Sequence, residues 1–161
     1  MKVYMKQKFF SLVDQYKLYD ANEKLLYYTE GKLFSLSGEM KMYDKNKNLR
    51  FTFRHKIVTL LPRVKVIDHL TKEEIVIKKH LTFLHPKLSL TTKNHNYTIK
   101  GSVFQYSFDI LENNQTIASV RKKILSWADT YELEYDETHS ELILALLIGI
   151  DTIIHNDRYN N

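Results

Sequence analysis

The sequence predicts a mainly β fold in which a closed antiparallel barrel of about 10–12 strands surrounds a central hydrophobic C-terminal α-helix. Two observations support this prediction: a wholly apolar run near the C-terminus, and a 24-residue repeat with strand and turn features in the rest of the chain. The run from Leu142 to Ile150 has no polar side chain, so a helix built from it has no face for water. The rest of the chain must therefore enclose this helix.

The helix is predicted over residues 138–155. Thr138 and Glu141 have the spacing of a capping box, in which the threonine hydroxyl and the glutamate carboxylate each accept a hydrogen bond from the other residue's amide. Membrane insertion is not expected, because a spanning helix needs roughly 20 apolar residues and Asp151 interrupts this run. Gly149 costs about 1 kcal/mol relative to alanine inside a helix, which indicates that a wall strand approaches closely there. The predicted core positions of the helix are Leu142, Leu144, Leu146, Leu147 and Ile150.

The repeat supplies the wall of the barrel, with strands predicted over about residues 3–135. Asp20, Asp44 and Asp68 recur at the same offset within three units, where each is expected to close a short strand and open a turn, because aspartate hydrogen-bonds nearby backbone amides. A longer strand then leads into the next copy of the motif. The copies are Lys8-Phe-Phe-Ser-Leu12, Lys32-Leu-Phe-Ser-Leu36, Lys56-Ile-Val-Thr-Leu60 and His80-Leu-Thr-Phe-Leu84.

A closed barrel explains the repeat and the helix together as a single domain over residues 1–161. An eight-stranded barrel holds only its own side chains, whereas a helix about 10 Å across needs a wider wall. Alternation in residues 50–57 supports such a wall, because the odd positions Phe51, Phe53, His55 and Ile57 would face inward and the even positions outward.

Composition argues against most catalytic chemistry. The chain has no cysteine, which excludes disulfides, thiolate catalysis and cysteine zinc sites, and it lacks the sequence motifs of zinc peptidases, serine hydrolases and phosphate-binding glycine loops. The seven histidines show no metal-ligand spacing. Alternating acids at Glu132, Glu134 and Asp136 resemble an exposed strand face more than a glycosidase pair. We therefore expect no enzymatic activity, no cofactor and no metal, and the opening residues, which lack a signal-peptide core, suggest a cytoplasmic protein.

Charge is unevenly distributed along the chain. Residues 41–100 carry a net charge of +10 and residues 101–161 a net charge of −6. Such a basic segment predicts attraction to an anionic partner, either a phospholipid headgroup at a peripheral membrane contact or an acidic protein; the alternative is an ordinary solvated wall. Nucleic acid is less favoured, because Phe51 and Phe53 would point inward and could not stack on bases. The candidate anion-binding residues are Arg50, Arg54, Lys56, Arg63 and Lys65.

Several segments resemble the LURP-one-related family over nearly the whole chain. They are Lys6-Gln-Lys-Phe-Phe-Ser-Leu12, Gly31-Lys32 before Phe34-Ser-Leu36, Tyr97-x-Ile-x-Gly101, Ala118-Ser-Val-x-Lys-Lys123, Asp129-Thr-Tyr131 and the terminal apolar run ending at Asp151. The resemblance implies a 12-stranded barrel around a hydrophobic C-terminal helix, similar to the tubby C-terminal domain and, by proposal, to phospholipid scramblases. Tubby domains bind phosphoinositide headgroups, but no tubby ligand residue matches a position in this sequence, and fold alone does not fix function.

Two functional hypotheses follow. The first is a non-enzymatic binding or scaffold domain whose basic barrel face binds an anionic partner. The alternative is a small-molecule carrier or enzyme with a pocket at the barrel mouth near Asp151 and His155. Because an unpaired buried carboxylate is costly, we expect the helix to emerge at the barrel mouth at Asp151, so that its carboxylate meets solvent or a backbone amide rather than a ligand.

Overall fold

The computed structural model describes residues 2–8, 15–32, 38–56, 61–80, 87–123, 130–135 and 140–159. These residues form twelve strands, one short 3₁₀ turn (Val103–Gln105) and one α-helix, α1 (Ser140–Tyr159). The predicted mainly β architecture is confirmed, with the strand number at the upper end of the expected range. The strands are β1 (Lys2–Lys8), β2 (Gln15–Asp20), β3 (Leu25–Lys32), β4 (Glu39–Asp44), β5 (Leu49–Lys56), β6 (Arg63–Asp68), β7 (Glu74–His80), β8 (Lys87–Thr91), β9 (Tyr97–Ser102), β10 (Ser107–Glu112), β11 (Gln115–Lys123) and β12 (Thr130–Tyr135).

All twelve strands belong to one antiparallel sheet, in the order β8-β7-β6-β5-β4-β3-β2-β1-β12-β11-β10-β9. The first and last strands of the chain are neighbours within it, with Met5 of β1 opposite Tyr131 of β12. Over the described residues no ladder joins β8 to β9, the two strands at the ends of the sheet. The barrel is therefore nearly closed, and its seam lies between two strands that are consecutive in the chain.

The short strands end where the repeat predicts. Asp20, Asp44 and Asp68 are the last residues of β2, β4 and β6. The Oδ1 atom of Asp44 accepts hydrogen bonds from the amides of Asn46 at 2.8 Å and Asn48 at 2.9 Å, and the other two aspartates accept equivalent bonds in their own turns. These turns thus use the predicted chemistry. The repeated motif falls largely on residues 9–14, 33–37, 57–60 and 81–86, which lie outside the described residues.

The helix fills the barrel. Every residue from Ile143 to Ile154 is buried, which confirms the predicted central helix. Four predicted core positions, Leu144, Leu146, Leu147 and Ile150, are at most 1% exposed, whereas Leu142 is only partly buried and packs against the core. The predicted start at Thr138 lies outside the described residues.

No helix among the described residues combines the length and the apolar composition needed to cross a membrane.

Gly149 marks the close approach that its position in the helix predicted. A Cβ atom built at this position would lie 2.5 Å from Cδ1 of Ile77 and 3.3 Å from Cγ2 of Val66. The helix therefore packs most closely against the inner face of β6 and β7.

The wall shows the predicted alternation in β6 and β7 and in part of β5. Phe51, Phe53 and His55 of β5 are buried, as are the alternate residues of β6 and β7. Thr52, which was predicted to face outward, is also buried, and its hydroxyl contacts Nε2 of His69 at 2.8 Å. Ile57 lies outside the described residues. The positions between the buried ones form the outer surface, on which Arg54, Arg63 and Lys65 stand.

Candidate functional site

The sheet brings most of the predicted basic patch into two neighbouring rows across β5 and β6. Arg54 is opposite Lys65, and Lys56 is opposite Arg63 in the backbone register. Arg54 and Arg63 are exposed, and Lys65 is half-buried. Four of the five candidate residues therefore lie together on one part of the wall.

Arg50 is not part of this surface, and its predicted outward orientation was wrong. Its side chain is only 16% exposed and forms an ion pair with the Glu141 carboxylate at the start of α1. A β-bulge in the pairing of β4 with β5, opposite Tyr43, interrupts the alternation next to Arg50. This arginine therefore connects the wall to the helix and is not available to an external anion.

The Glu141 carboxylate has a second partner in the wall. The Tyr27 hydroxyl donates to its Oε1 atom at 2.8 Å. Burial, followed by this hydrogen bond, raises the pKa of Tyr27. The described contacts of Glu141 are thus with β3 and β5, rather than with the predicted capping-box partner Thr138, which lies outside the described residues.

The row formed by Arg54 and Lys65 is largely neutralised by acids. Arg54 Nε donates to Glu39 Oε2 at 2.9 Å, and the hydrogen bond from Arg54 lowers the pKa of Glu39. Lys65 Nζ lies 2.7 Å from Glu74 Oε1. Each cation of this row has a carboxylate beside it, so the row contributes little net positive charge.

The neighbouring row, which contains Arg63 and Lys78, differs from the first because its cations have no carboxylate partner among the described ion pairs. Arg63 lies opposite Lys78 of β7 as well as opposite Lys56 of β5, and Lys87 is exposed at the start of β8. Within the described part of the chain, none of the ion pairs involves Arg63, Lys78 or Lys87. Lys87 is opposite His80, which shares the outer face of β7 with Lys78. We call Arg63, Lys78 and Lys87 the basic cluster.

Lys78 and Lys87 were missed at the sequence level. The signal was available, because Lys78 alternates with the apolar Ile75 and Ile77 and so belongs to the outer face of β7. What the sequence did not give was the register that places Lys78 beside Arg63. His80 of the same strand contacts the Ser89 hydroxyl at 2.7 Å and continues this polar surface toward β8.

Asp151 lies inside the barrel and not at its mouth, so the expected exposure to solvent was wrong. The residue is 0% exposed, and its Oδ2 atom accepts a hydrogen bond from the Tyr16 hydroxyl at 2.9 Å. Among the described residues, the barrel has no opening to solvent at Asp151. The side chain of His155 lies outside the described part of the structure.

Two further tyrosines belong to this interior group. Tyr106 and Tyr131 stack with ring centroids 4.3 Å apart and an interplanar angle of 23°. Burial is the main cause that raises the pKa of Tyr106, and the nearby Asp151 carboxylate, to which it is hydrogen-bonded, raises it further. The helix carboxylate is thus held by phenol groups that come from distant parts of the wall.

A third polar group surrounds His95. His95 contacts Glu112 through Nδ1 and lies 3.7 Å from Glu73 through Nε2, so the two carboxylates approach opposite sides of its ring. Over the residues that the structure describes, no group of three or more histidine, aspartate or glutamate side chains could hold a metal ion. Glu132 and Glu134 of β12 both lie near Lys2, and Asp136 lies outside the described residues.

Comparison with known proteins identifies the family. The sequence profile described as LURP-one-related matches residues 1–151, which is most of the chain. The chain belongs to the LURP-one-related family. A Bacillus subtilis (strain 168) relative, the uncharacterized protein YxjI, is 32% identical over 158 residues, covering 98% of this chain and 96% of the relative.

A solved structure shows the same fold. The X-ray structure of the Arabidopsis thaliana protein AT5G01750 superposes with a TM-score of 0.61 at 16% identity, covering 93% of this chain and 91% of the plant protein. The LURP-one-related match includes the basic cluster and extends to Asp151. Both features therefore lie within the part of the chain that matches the family, and the fold that holds them is shared with the plant protein.

Proposed function

We propose that this LURP-one-related chain is a non-enzymatic binding or scaffold domain that attaches reversibly to anionic phospholipid headgroups through the basic cluster. The observation that carries the proposal is the contrast between two adjacent rows on the same wall. Arg54 and Lys65 each have a glutamate partner, whereas the described ion pairs include neither Arg63 nor Lys78 of the next row. A surface that leaves its cations together in this way attracts phosphate groups.

The strength of this attraction can be bounded. Each basic residue near an anionic membrane contributes about 1 kcal/mol, so Arg63, Lys78 and Lys87 together contribute about 3 kcal/mol. A difference of 1.4 kcal/mol is a factor of ten in affinity, so three cations give about a hundredfold preference for an acidic surface over a neutral one. The proposed attachment is thus transient and salt-sensitive, and it suits a cytoplasmic protein, because the cytoplasmic leaflet is the anionic one.

The alternative of a carrier or enzyme with a pocket near Asp151 and His155 has less support. Asp151 is fully buried and hydrogen-bonded to Tyr16. A substrate reaching this carboxylate would have to displace the helix or the wall around it. We therefore assign the proposed binding function to the outer surface of the barrel.

The test is co-sedimentation with vesicles of phosphatidylcholine alone or with added phosphatidylserine. Wild-type protein is expected in the pellet with the acidic vesicles and in the supernatant with the neutral ones. Replacing Arg63 and Lys78 by glutamate should weaken retention at least about 30-fold, because at least two attractions of about 1 kcal/mol each are lost. The matched control replaces Lys45 and Lys100, which are exposed elsewhere on the barrel, by glutamate and should retain most of the binding.

Salt and competitors separate lipid binding from other anionic partners. Exposed charges are screened over about 8 Å at physiological ionic strength, so retention should fall between low and moderate salt while the melting temperature stays nearly constant. Duplex or single-stranded DNA that competes more strongly than acidic vesicles would indicate a nucleic-acid partner instead. Equal retention on neutral and acidic vesicles at low salt would refute the proposal and leave the basic cluster as solvated surface.

A further inference from the structure

The helix offers the wall few polar contacts by which its position can be fixed. From Leu142 to Ile150 it is apolar on every side. Its described polar contacts with the wall lie near its two ends: Glu141 with Tyr27 and Arg50 at one end, and Asp151 with Tyr16 and Tyr106 at the other. We propose that Glu141 and Asp151 together fix the axial register of α1 in the barrel.

Apolar packing alone opposes a one-turn slide of the helix only in part. Ala145 lies four residues before Gly149 and therefore on the same face of the helix. A slide of one turn, about 5.4 Å, would bring Ala145 against Ile77 and Val66 in place of Gly149 and would add one methyl group there. It would also carry Gly149 to the place of Ile153, which is 0% exposed, and leave a void there. Other core positions exchange leucine for isoleucine, for example Leu144 at the place of Ile148, and such swaps are tolerated in cores.

The two acids oppose this slide strongly. It would carry Glu141 to the place of Ala145, which is 0% exposed, and would separate its carboxylate from Arg50. It would also bring Leu147 to the place of Asp151, where the hydroxyl of Tyr16 would face an aliphatic side chain. A buried carboxylate or phenol without a partner is costly, so the polar contacts at both ends of the helix oppose the slide in addition to the void at the place of Ile153.

A slide in the opposite direction is also blocked. Asp151 would move to the place of Leu147, away from Tyr16, and Ile153 would move to the place of Gly149, where even a Cβ atom is crowded. The native register is thus the one in which both acids keep their partners. This assigns a positional role to two residues that the outer-surface function does not use.

The test uses the full chain and methyl-resolved NMR. In the native register the Gly149 Hα protons lie next to the Ile77 δ1 methyl group, so a nuclear Overhauser cross-peak between them reports the position of the helix. The double variant Glu141→Ala and Asp151→Leu should show a minor second set of Ile77 signals, up to about one-tenth of the total, with a cross-peak to the Ala145 methyl group. Either single variant should keep one set, because the remaining acid still pins the helix.

Controls make each outcome decisive. Thr152→Val changes a buried neighbour whose hydroxyl bonds to the Ile148 carbonyl of the helix itself, and it should leave a single set of signals. If the double variant does not fold, the milder triple variant Glu141→Gln, Tyr16→Phe and Tyr106→Phe, which removes the charge at one end and both phenol donors at the other, should broaden the Ile77 methyl signal. A single sharp native set in the folded double variant, or in the triple variant if it is the one that folds, would refute the pinning role.

Discussion

Gly149 is the residue at which a single added methyl group tests the packing of helix against wall. Alanine at this position gains about 1 kcal/mol of helix propensity, but its Cβ atom meets Ile77 Cδ1 at 2.5 Å. Overpacking a core costs typically about 1–3 kcal/mol. We expect Gly149→Ala to lower the free energy of unfolding by about 1 kcal/mol, as measured by urea denaturation.

The partner of that contact supplies the control. Ile77→Val removes the crowded Cδ1 atom and by itself should cost about 0.5–1.5 kcal/mol. In the double variant the new methyl group fills the vacated space, so the two costs should not add. Additive losses in the double-mutant cycle would mean that the helix and β7 do not meet at this point.

The buried residue His55 predicts how the stability of the fold depends on pH. Burial holds the pKa of its imidazole below the ordinary value of 6.5, so the folded state takes up a proton less readily than the unfolded state. The stability that depends on neutral His55 is therefore present above pH 6.5 and is lost as the pH falls from 6.5 toward the lower folded-state pKa. Urea denaturation from pH 7.5 to 5.5 should show a steeper loss for the wild type than for His55→Gln.

The matched variant for this experiment is His80→Gln, because His80 is exposed on the outer wall. It should follow the wild-type pH dependence. If instead His55→Gln and the wild type lose stability in parallel over this range, the imidazole of His55 does not contribute to acid sensitivity.

At the scale of the element, the helix core positions are not equivalent. Leu144 and Leu147 are at most 1% exposed, so alanine at either should lower the free energy of unfolding by about 2–5 kcal/mol. Leu142 is partly buried, and the same substitution there should cost less than at either of the other two. Equal losses at all three positions would place Leu142 as deep in the barrel as the others.

The elements that depend on local signals were predictable from the sequence. The apolar run of α1 and the turn aspartates Asp20, Asp44 and Asp68 specify their structures through their own residues and near neighbours. Arg50 was misplaced because a β-bulge is a property of two paired strands and leaves no mark in the alternation of one. Register is likewise a pairwise property, which is why Lys78 was not placed beside Arg63.

Asp151 shows the same limit for a buried charge. The cost of burying a carboxylate predicts exposure unless a partner is known, and the partner Tyr16 is 135 residues away in the chain. A long-range contact of this kind has no local pattern. The buried contacts of Asp151 therefore could not be predicted from the sequence. The basic segment and the fold around it could be.

At the scale of the whole molecule, the barrel depends on α1 for its stability. Removing residues 138–161 takes away the side chains that fill the interior and leaves the inward faces of twelve described strands exposed to water. We expect the truncated chain to be insoluble or to lack a cooperative thermal transition by circular dichroism. A soluble monomer that melts cooperatively near the wild-type temperature would contradict the central role of α1.

The pairing of β1 with β12 has a consequence for how the protein comes into being. Synthesis runs from the N-terminus, so β1 is made well before its neighbour β12 and before α1, which fills the barrel. Strands β1 to β8 can pair in sequence during synthesis, yet their apolar faces have nothing to cover them until β12 and α1 have been made. Such a nascent sheet is prone to aggregation, so the yield of this protein in a cell should depend on how fast the ribosome translates the segment from β9 to α1.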